Sequence, residues 1–311
     1  MSASVYQGVI LAAGEGSRMG PLGDQLPKAL VPICNRPLLA YQLEHMHSLG
    51  IEEVLIVVGF LREAIEDSFG DGSAFGLRIR YVEQSERLGL AHAVGQLETH
   101  IDGPFVLMLG DIYFDIPNLT EMVHSHQSTQ ASAVLAVKDE TSLEAIQRNF
   151  SVVSDAQGRV REVVEKPTTP TTTFKGCGVY IFDLKIFEAI RNTRRSSLRN
   201  EYELTDAIQV LIESGAVVQA VDIVQNDINI TYISDIIDAN VYELNKRGMT
   251  SLQGDNAQLN AGCVLSHSVI GDDIQIPHAI TLDECVVLDG SIIRSTSPVQ
   301  RAVITAFAIL T

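Results

Sequence analysis

The stretch from Gly8 to Pro32, GVILAAGEGSRMGPLGDQLPKALVP, constrains the fold of this chain more than any other. Its apolar run, Val9-Ile10-Leu11-Ala12-Ala13, has the length and β-branched content of a buried parallel strand. Gly14, Gly16 and Gly20 follow at once, so the backbone can turn sharply there and approach a ligand closely. Successive amide N–H groups in such a loop form an anion-binding concavity. Arg18 and Lys28 flank it. A planar fork of donors and a compact point charge beside a ring of amides suit a polyphosphate, whose charge must be spread.

Two well-known glycine loops fit less well. A dinucleotide fingerprint wants a third small residue where Met19 stands, and a helix that Pro21 and the neighbouring glycines oppose. A P-loop wants Gly-Lys-Ser/Thr, which is absent.

At 311 residues the chain can bury one large core and a smaller one. The formal net charge of −17 argues against a nucleic-acid partner, because a polyanion would be repelled over most of the surface. Cations gathered in a glycine loop on that acidic background point to phosphate. Cys34, Cys177, Cys263 and Cys285 lack metal-ligand spacing and read as reduced thiols. No leader-like segment or membrane-length apolar run is seen, so a cytoplasmic protein with no membrane partner is expected.

Further along, Leu39, Leu43, Met46 and Leu49 recur at helical spacing before Gly50, and Glu53 to Phe60 reads as a core strand. Arg78 to Gln84 alternates as a strand and leads into Gly89 and a helix. Pro104 to Asp111 is a strand ending in Gly-Asp, and ligands of open α/β sheets sit at such carboxyl ends. Asp111 there suits Mg²⁺, which prefers oxygen ligands and shares them with substrate phosphates, although a capping or turn role is the plainer one. A hairpin from Phe150 delivers Glu165-Lys166-Pro167, where a solvated ion pair is the plain reading. Asn200 to Asp206 precedes the apolar face Ile208, Leu211 and Ile212, with Thr205 or a nearby acid as a cap. Asp227-Ile228-Asn229 precedes a helix from Asp235 to Lys246. From about Val264 the period changes: Val264, Ile270, Ile276, Leu282 and Leu288 recur every six residues, which reads as stacked β-solenoid coils. His267 and His278 read there as ordinary surface or loop histidines.

The string Ala-Ala-Gly-x-Gly-x-Arg-Met-x-Pro, followed by Leu26-Pro27-Lys28-x-Leu30-x-Pro32, closely resembles the signature of the sugar-1-phosphate nucleotidyltransferases. The Gly-Asp, Glu-Lys-Pro and Glu-Tyr-x-x-Thr-Asp strings resemble that family too, and the coverage runs over most of residues 8 to 247. The resemblance implies an α/β fold: a Rossmann-like, mixed, mostly parallel sheet flanked by helices, with a short C-terminal left-handed parallel β-helix. It implies a catalytic domain over residues 1–250 and an oligomerisation or regulatory stub over 251–311, so a homo-oligomer. Arg18, Lys28 and Lys166 become the expected catalytic cations. Leu11, Ala13, Gly14, Gly16, Gln84, Gly89 and Asp111 become the expected nucleotide contacts. The carboxamide of Gln84 would match the imide edge of uracil or thymine. Glu165, Lys166, Cys177 and Glu201 would hold the sugar phosphate. Asp111 and Asn229 would hold Mg²⁺, with Asp227 as the fallback.

The implied reaction joins UTP or dTTP to a sugar 1-phosphate, glucose 1-phosphate first, by in-line attack at the α-phosphorus with loss of pyrophosphate. Ile112, Ser151 and Cys177 depart from common family patterns, which leaves N-acetylglucosamine and mannose 1-phosphates open. A non-catalytic sensing subunit is the alternative from another class. It would be expected to lack Arg18, Lys28 or Asp111, and all three are present.

Overall fold

A computed structural model describes residues 6–84, 86–196 and 200–311. Contacts divide the chain into two compact units, each discontinuous in sequence. The first holds residues up to Gly14, Gln42–Gly110 and Phe114–Asp227; the second holds Glu15–Tyr41, Asp111–Tyr113 and Ile228–Thr311. The coils after residue 250 therefore share a unit with the glycine loop and Asp111.

The first unit is built on a nine-stranded sheet. Strand Gln7–Leu11 lies parallel between Glu53–Val58 and Phe105–Leu109, and Arg78–Glu83 pairs parallel outside Glu53–Val58. The expected mixed, mostly parallel sheet with flanking helices is present. Val9, Ile10, Val54 to Val58 and Phe105 to Met108 are all buried, the continuous apolar pattern of strands covered on both faces. Strand Phe174–Phe182 reverses direction and pairs antiparallel with Phe105–Leu109, Ala133–Asp139 and Phe150–Ser154. Phe150 stacks on Tyr180, and Tyr180 on Phe182. A Cβ on Gly176 would lie 1.9 Å from the Phe150 ring, so the glycine lets that aromatic column close.

In the second unit, helix Ile233–Lys246 packs Ile236, Ile237 and Ala239 against Met19, Leu22, Val31, Ile33, Tyr113 and Ile230. A short hairpin, Pro32–Ile33 with Arg36–Pro37, turns through Cys34 and Asn35, both at left-handed φ. The coils pair in parallel at a constant step of seventeen residues: Ser251 with Ser268, Gln258 with Gln275, Val264 with Thr281, Leu282 with Val299. Three hexads would give eighteen, and the six-residue series holds in its middle, where Ile270, Ile276 and Leu282 are buried, and leaves the core at its ends, where Leu288 is half-buried. Val264 is 56 % exposed, while Leu265 pairs with Leu282 and Ile270 with Val287. The interior is Ile270, Ile274, Ile276, Ile280, Leu282, Val287 and Ile304. An aspartate ladder ties successive corners, Asp272 accepting from the Asp255 amide and Asp289 from the Asp272 amide. Strand Ile309–Leu310 folds back antiparallel on Val299–Ile304 and covers its edge. His267 is half-buried with Ser266 Oγ on its Nδ1 at 3.1 Å, and His278 is exposed. No described helix is long and apolar enough to cross a membrane.

Burial pushes the Cys34 thiol up from its ordinary 9.0 to about 11, with Glu243 adding to the rise and Arg247 opposing it. The folded thiol thus keeps a proton that the unfolded one loses. The contribution is whole below the unfolded value and is lost as pH rises through the folded one. It is of order 2 kcal/mol. Urea midpoints should fall between about pH 8 and about pH 11, and Cys34→Ala should flatten that fall; an unchanged slope contradicts the assignment.

Candidate active site

The glycine loop belongs to the second unit from Glu15 onward. Met19 is 1 % exposed and anchors the loop in the core. Its amide donates to the Gly16 carbonyl at 2.8 Å. Gly16 and Gly23 touch so closely that a Cβ on Gly23 would lie 2.0 Å from Gly16 O, and one on Gly16 2.4 Å from the Met19 methyl. Gly20 stands at φ 59°, ψ −140°, a conformation that favours glycine. The loop is therefore closely packed where it turns, and Arg18 stands exposed on it.

Arg18, Lys28, Glu15, Ser17 and Thr231 line one cavity of about 210 Å³. Lys28 Nζ donates to Asp111 Oδ2 at 2.9 Å. The Asp111 carbonyl accepts from the Ile230 amide at 2.8 Å, which places Asn229 beside it along the backbone; the Asn229 carboxamide oxygen accepts from Thr231 Oγ1 at 3.2 Å. Five expected residues, Gly16, Arg18, Lys28, Asp111 and Asn229, thus fall in one unit, four of them at or beside this cavity. Thr231 and Ser17 were not marked by the sequence, since neither stands in a telling spacing.

The donor set bears on a divalent ion. Asp111 is 33 % exposed and Asn229 is exposed, so both oxygens can be reached. Among the described residues, no group of three or more His, Cys, Asp or Glu could hold a metal. One carboxylate and one carboxamide fit Mg²⁺ that is held mainly by substrate phosphates and water. Asp227 does not serve as the fallback. Its side chain is 5 % exposed and pairs with Lys175 at 2.6 Å, with Glu140 at 3.8 Å from the same ammonium. Burial works against the Lys175 charge, but these acids outweigh it and hold the ammonium above its usual value.

In the first unit, Leu11 and Ala13 are buried and Gly14 is exposed, with nothing within 4 Å of where its Cβ would be. Gly59 and Gly110 let the end of this strand close on its neighbours: a Cβ on Gly59 would lie 3.0 Å from Ala13 O, and one on Gly110 2.7 Å from Leu11 O. Gln84 is half-buried at the end of its strand, its amide on the Val58 carbonyl. Gly89, at φ 111°, meets backbone: a Cβ there would lie 2.4 Å from Tyr202 O. Tyr202 N donates to Leu88 O and Ala91 N to Tyr202 O, so Gly89 and the Glu201-Tyr202 segment are stitched together.

Glu165 and Lys166 end strand Val160–Glu165, 3.8 Å apart. Thr205 Oγ1 donates to Glu165 Oε2 at 2.8 Å. That replaces the capping role: helix Leu204–Glu213 starts at Glu203 with no side-chain cap. Lys166 stands at φ 44°. A β-carbon is strained there, and glycine would relieve it, so the structure keeps the lysine at a cost of about 1–3 kcal/mol. Glu201 is half-buried and its carbonyl accepts from Ser196 N. Cys177 is 1 % exposed as a whole residue, and its thiol bonds the Lys175 carbonyl.

Within the second unit the glycine loop carries Arg18 and Lys28, and Lys28 pairs with Asp111, an arrangement of charge suited to phosphate. Residues 7–244 match the family model described as Nucleotidyl transferase. Over 229 residues the chain is 37 % identical to the UTP–glucose-1-phosphate uridylyltransferase AglF of Haloferax volcanii, covering 74 % of this chain and 93 % of that one. Over 307 residues it is 31 % identical to a glucose-1-phosphate thymidylyltransferase of Streptomyces griseus, covering 91 % and 84 %. The fold matches a crystal structure of UDP-glucose pyrophosphorylase complexed with UDP-glucose, at TM-score 0.69 and 24 % identity, covering 78 % of this chain and all of that one. The chain belongs to the nucleotidyl transferase family, and it is an enzyme of that class.

Proposed function

We propose that this enzyme joins a pyrimidine nucleoside triphosphate, UTP or dTTP, to a sugar 1-phosphate, glucose 1-phosphate first, releasing pyrophosphate. The observation that carries this reading is the cavity where Arg18, Lys28 and Thr231 meet the glycine loop, with Asp111 on Lys28. The names of the uridylyl- and thymidylyltransferase relatives support the substrate pair.

The sugar phosphate is already ionised near neutral pH, so the protein needs no covalent intermediate; its work is positioning and charge stabilisation. Amides of the loop and the Arg18 guanidinium hold the β- and γ-phosphates and the charge that grows as pyrophosphate leaves. Lys28 neutralises the α-phosphate. Gln84 reads the imide edge of the base. Lys166 orients the attacking phosphate, and Glu165, fixed by Thr205, accepts from sugar hydroxyls. Asp111 and Asn229 would hold Mg²⁺, which supplies charge neutralisation across the phosphates when bound. A sensing subunit without catalysis would not need Arg18, Lys28 and Asp111; Arg18 and Lys28 line the cavity, and Asp111 pairs with Lys28. We also read the coils as a left-handed β-helix that serves assembly of a homo-oligomer in the cytoplasm.

A panel of five nucleoside triphosphates against glucose, N-acetylglucosamine and mannose 1-phosphates, read by pyrophosphate release with Mg²⁺, tests this. UTP or dTTP with glucose 1-phosphate should give the highest kcat/KM. The two pyrimidines should differ by about 10- to 200-fold at most, the worth of one methyl in a pocket. No release with any pair, or none that depends on the sugar phosphate, would refute the reading.

A further inference from the structure

Helix Ile233–Lys246 and Arg247, which follows it, carry a polar chain outside the cavity just described, buried at Tyr113 and Glu243 and open to water at Arg247. Tyr113, 1 % exposed, donates its hydroxyl to Glu243 Oε2. Arg247 Nε donates to Glu243 Oε1 at 2.7 Å. From the other side of that guanidinium, Nη2 donates to Tyr41 Oη at 2.9 Å, and the Tyr41 hydroxyl donates to the Ile33 carbonyl at 2.7 Å. The Tyr41 and Tyr113 rings meet edge-on, centroids 5.4 Å apart. The Glu243 side chain is 8 % exposed. A buried charge pair is often no more stabilising than apolar residues of the same volume. Its directionality is what apolar packing lacks.

The attachment points of the chain give that directionality a purpose. Tyr113 lies two residues past Asp111 on the same short segment of the second unit. Ile33 lies five residues past Lys28, on the strand that Lys28's turn feeds. The helix bearing Glu243 begins four residues after Asn229. A second tie runs parallel to the first: the Asn240 side chain accepts from Cys34 N at 2.7 Å and donates to the Pro32 carbonyl at 3.0 Å. Lys28, Asp111 and Asn229 are thus referenced to one helix.

We infer that Tyr113 and Glu243 are positioning residues for the Lys28–Asp111 pair, and so set how firmly the site grips Mg²⁺ together with the nucleotide phosphates. This rests on the function proposed above. Neither residue touches substrate. They act by fixing the backbone from which the two charged groups extend.

The test uses Tyr113→Phe, which removes one hydroxyl and leaves the ring, and Glu243→Gln, which keeps size but not charge. UTP binding is titrated by calorimetry in EDTA and across a Mg²⁺ series, and pyrophosphate release is followed over the same series. Each variant should raise half-saturating Mg²⁺ by about tenfold, the usual scale for a residue that orients a metal ligand. UTP affinity in EDTA should fall by much less than UTP affinity with Mg²⁺, KM for the sugar 1-phosphate should stay within about twofold, and the double variant should be no worse than the poorer single one, because both break one chain. A uniform fall in turnover with Mg²⁺ dependence unchanged would overturn the inference, and so would wild-type behaviour. If Tyr113→Phe fails to fold, Tyr41→Phe breaks the other end and carries the same expectation. Asp111→Asn separates the two levels. If it abolishes Mg²⁺-coupled UTP binding while Tyr113→Phe does not, only the positioning role fails; if the wild-type enzyme shows no such coupling, the functional reading fails with it.

Discussion

Arg18→Ala should cut turnover at least about a hundredfold, the loss of about 3 kcal/mol expected when one preorganised charge-stabilising donor is taken from a site. The scaffold that presents Arg18 does not depend on it. Met19 anchors the loop, Gly16 packs on Gly23, and the Arg18 side chain is exposed. The melting temperature should therefore hold while kcat falls. Arg18→Lys should recover only part of the loss, because an ammonium supplies charge without the planar fork that grips two phosphate oxygens. Turnover near wild type in a folded Arg18→Ala enzyme would remove Arg18 from the mechanism.

Asp111→Ala should cost still more, about 10²- to 10³-fold in kcat/KM, since it removes an oxygen proposed for Mg²⁺ and also the partner of Lys28. The ion pair itself contributes little to stability. Lys28 is 14 % and Asp111 33 % exposed, and pairs open to water are worth about 0–1 kcal/mol. Loss of activity without loss of stability is thus the signature, read by pyrophosphate release beside a denaturant midpoint. Added Mg²⁺ should rescue Asp111→Asn partly and Asp111→Ala hardly at all. A large drop in stability with proportionate loss of activity would assign Asp111 to the fold instead.

Much of the site was legible because its physics is local. A β-branched run followed by glycines and two cations can be read along the chain, and Arg18 and Lys28 do line one cavity. The reason positions 59 and 110 are glycine was not legible. It lies in the Leu11–Ala13 backbone, which they approach from neighbouring strand ends. Gly89 showed the opposite limit: glycine freedom was foreseen, but the atoms it admits are those of Tyr202. Thr205 read as a helix cap because caps are sequence-local; its true partner, Glu165, is forty residues away. Lys175 and Asp227 gave no signal for the same reason, being fifty-two residues apart. In the tail the apolar period was visible, but a hexad count misses a coil one residue shorter than three hexads. How the second unit is assembled was not legible either, since its three segments meet only in space.

The most direct test is a crystal structure of the enzyme with UTP and Mg²⁺. The triphosphate should lie along the turn after strand Gln7–Leu11, with Arg18 and Lys28 on phosphate oxygens and Asp111 on the metal. A nucleotide bound elsewhere, with Asp111 far from any phosphate, would contradict the account.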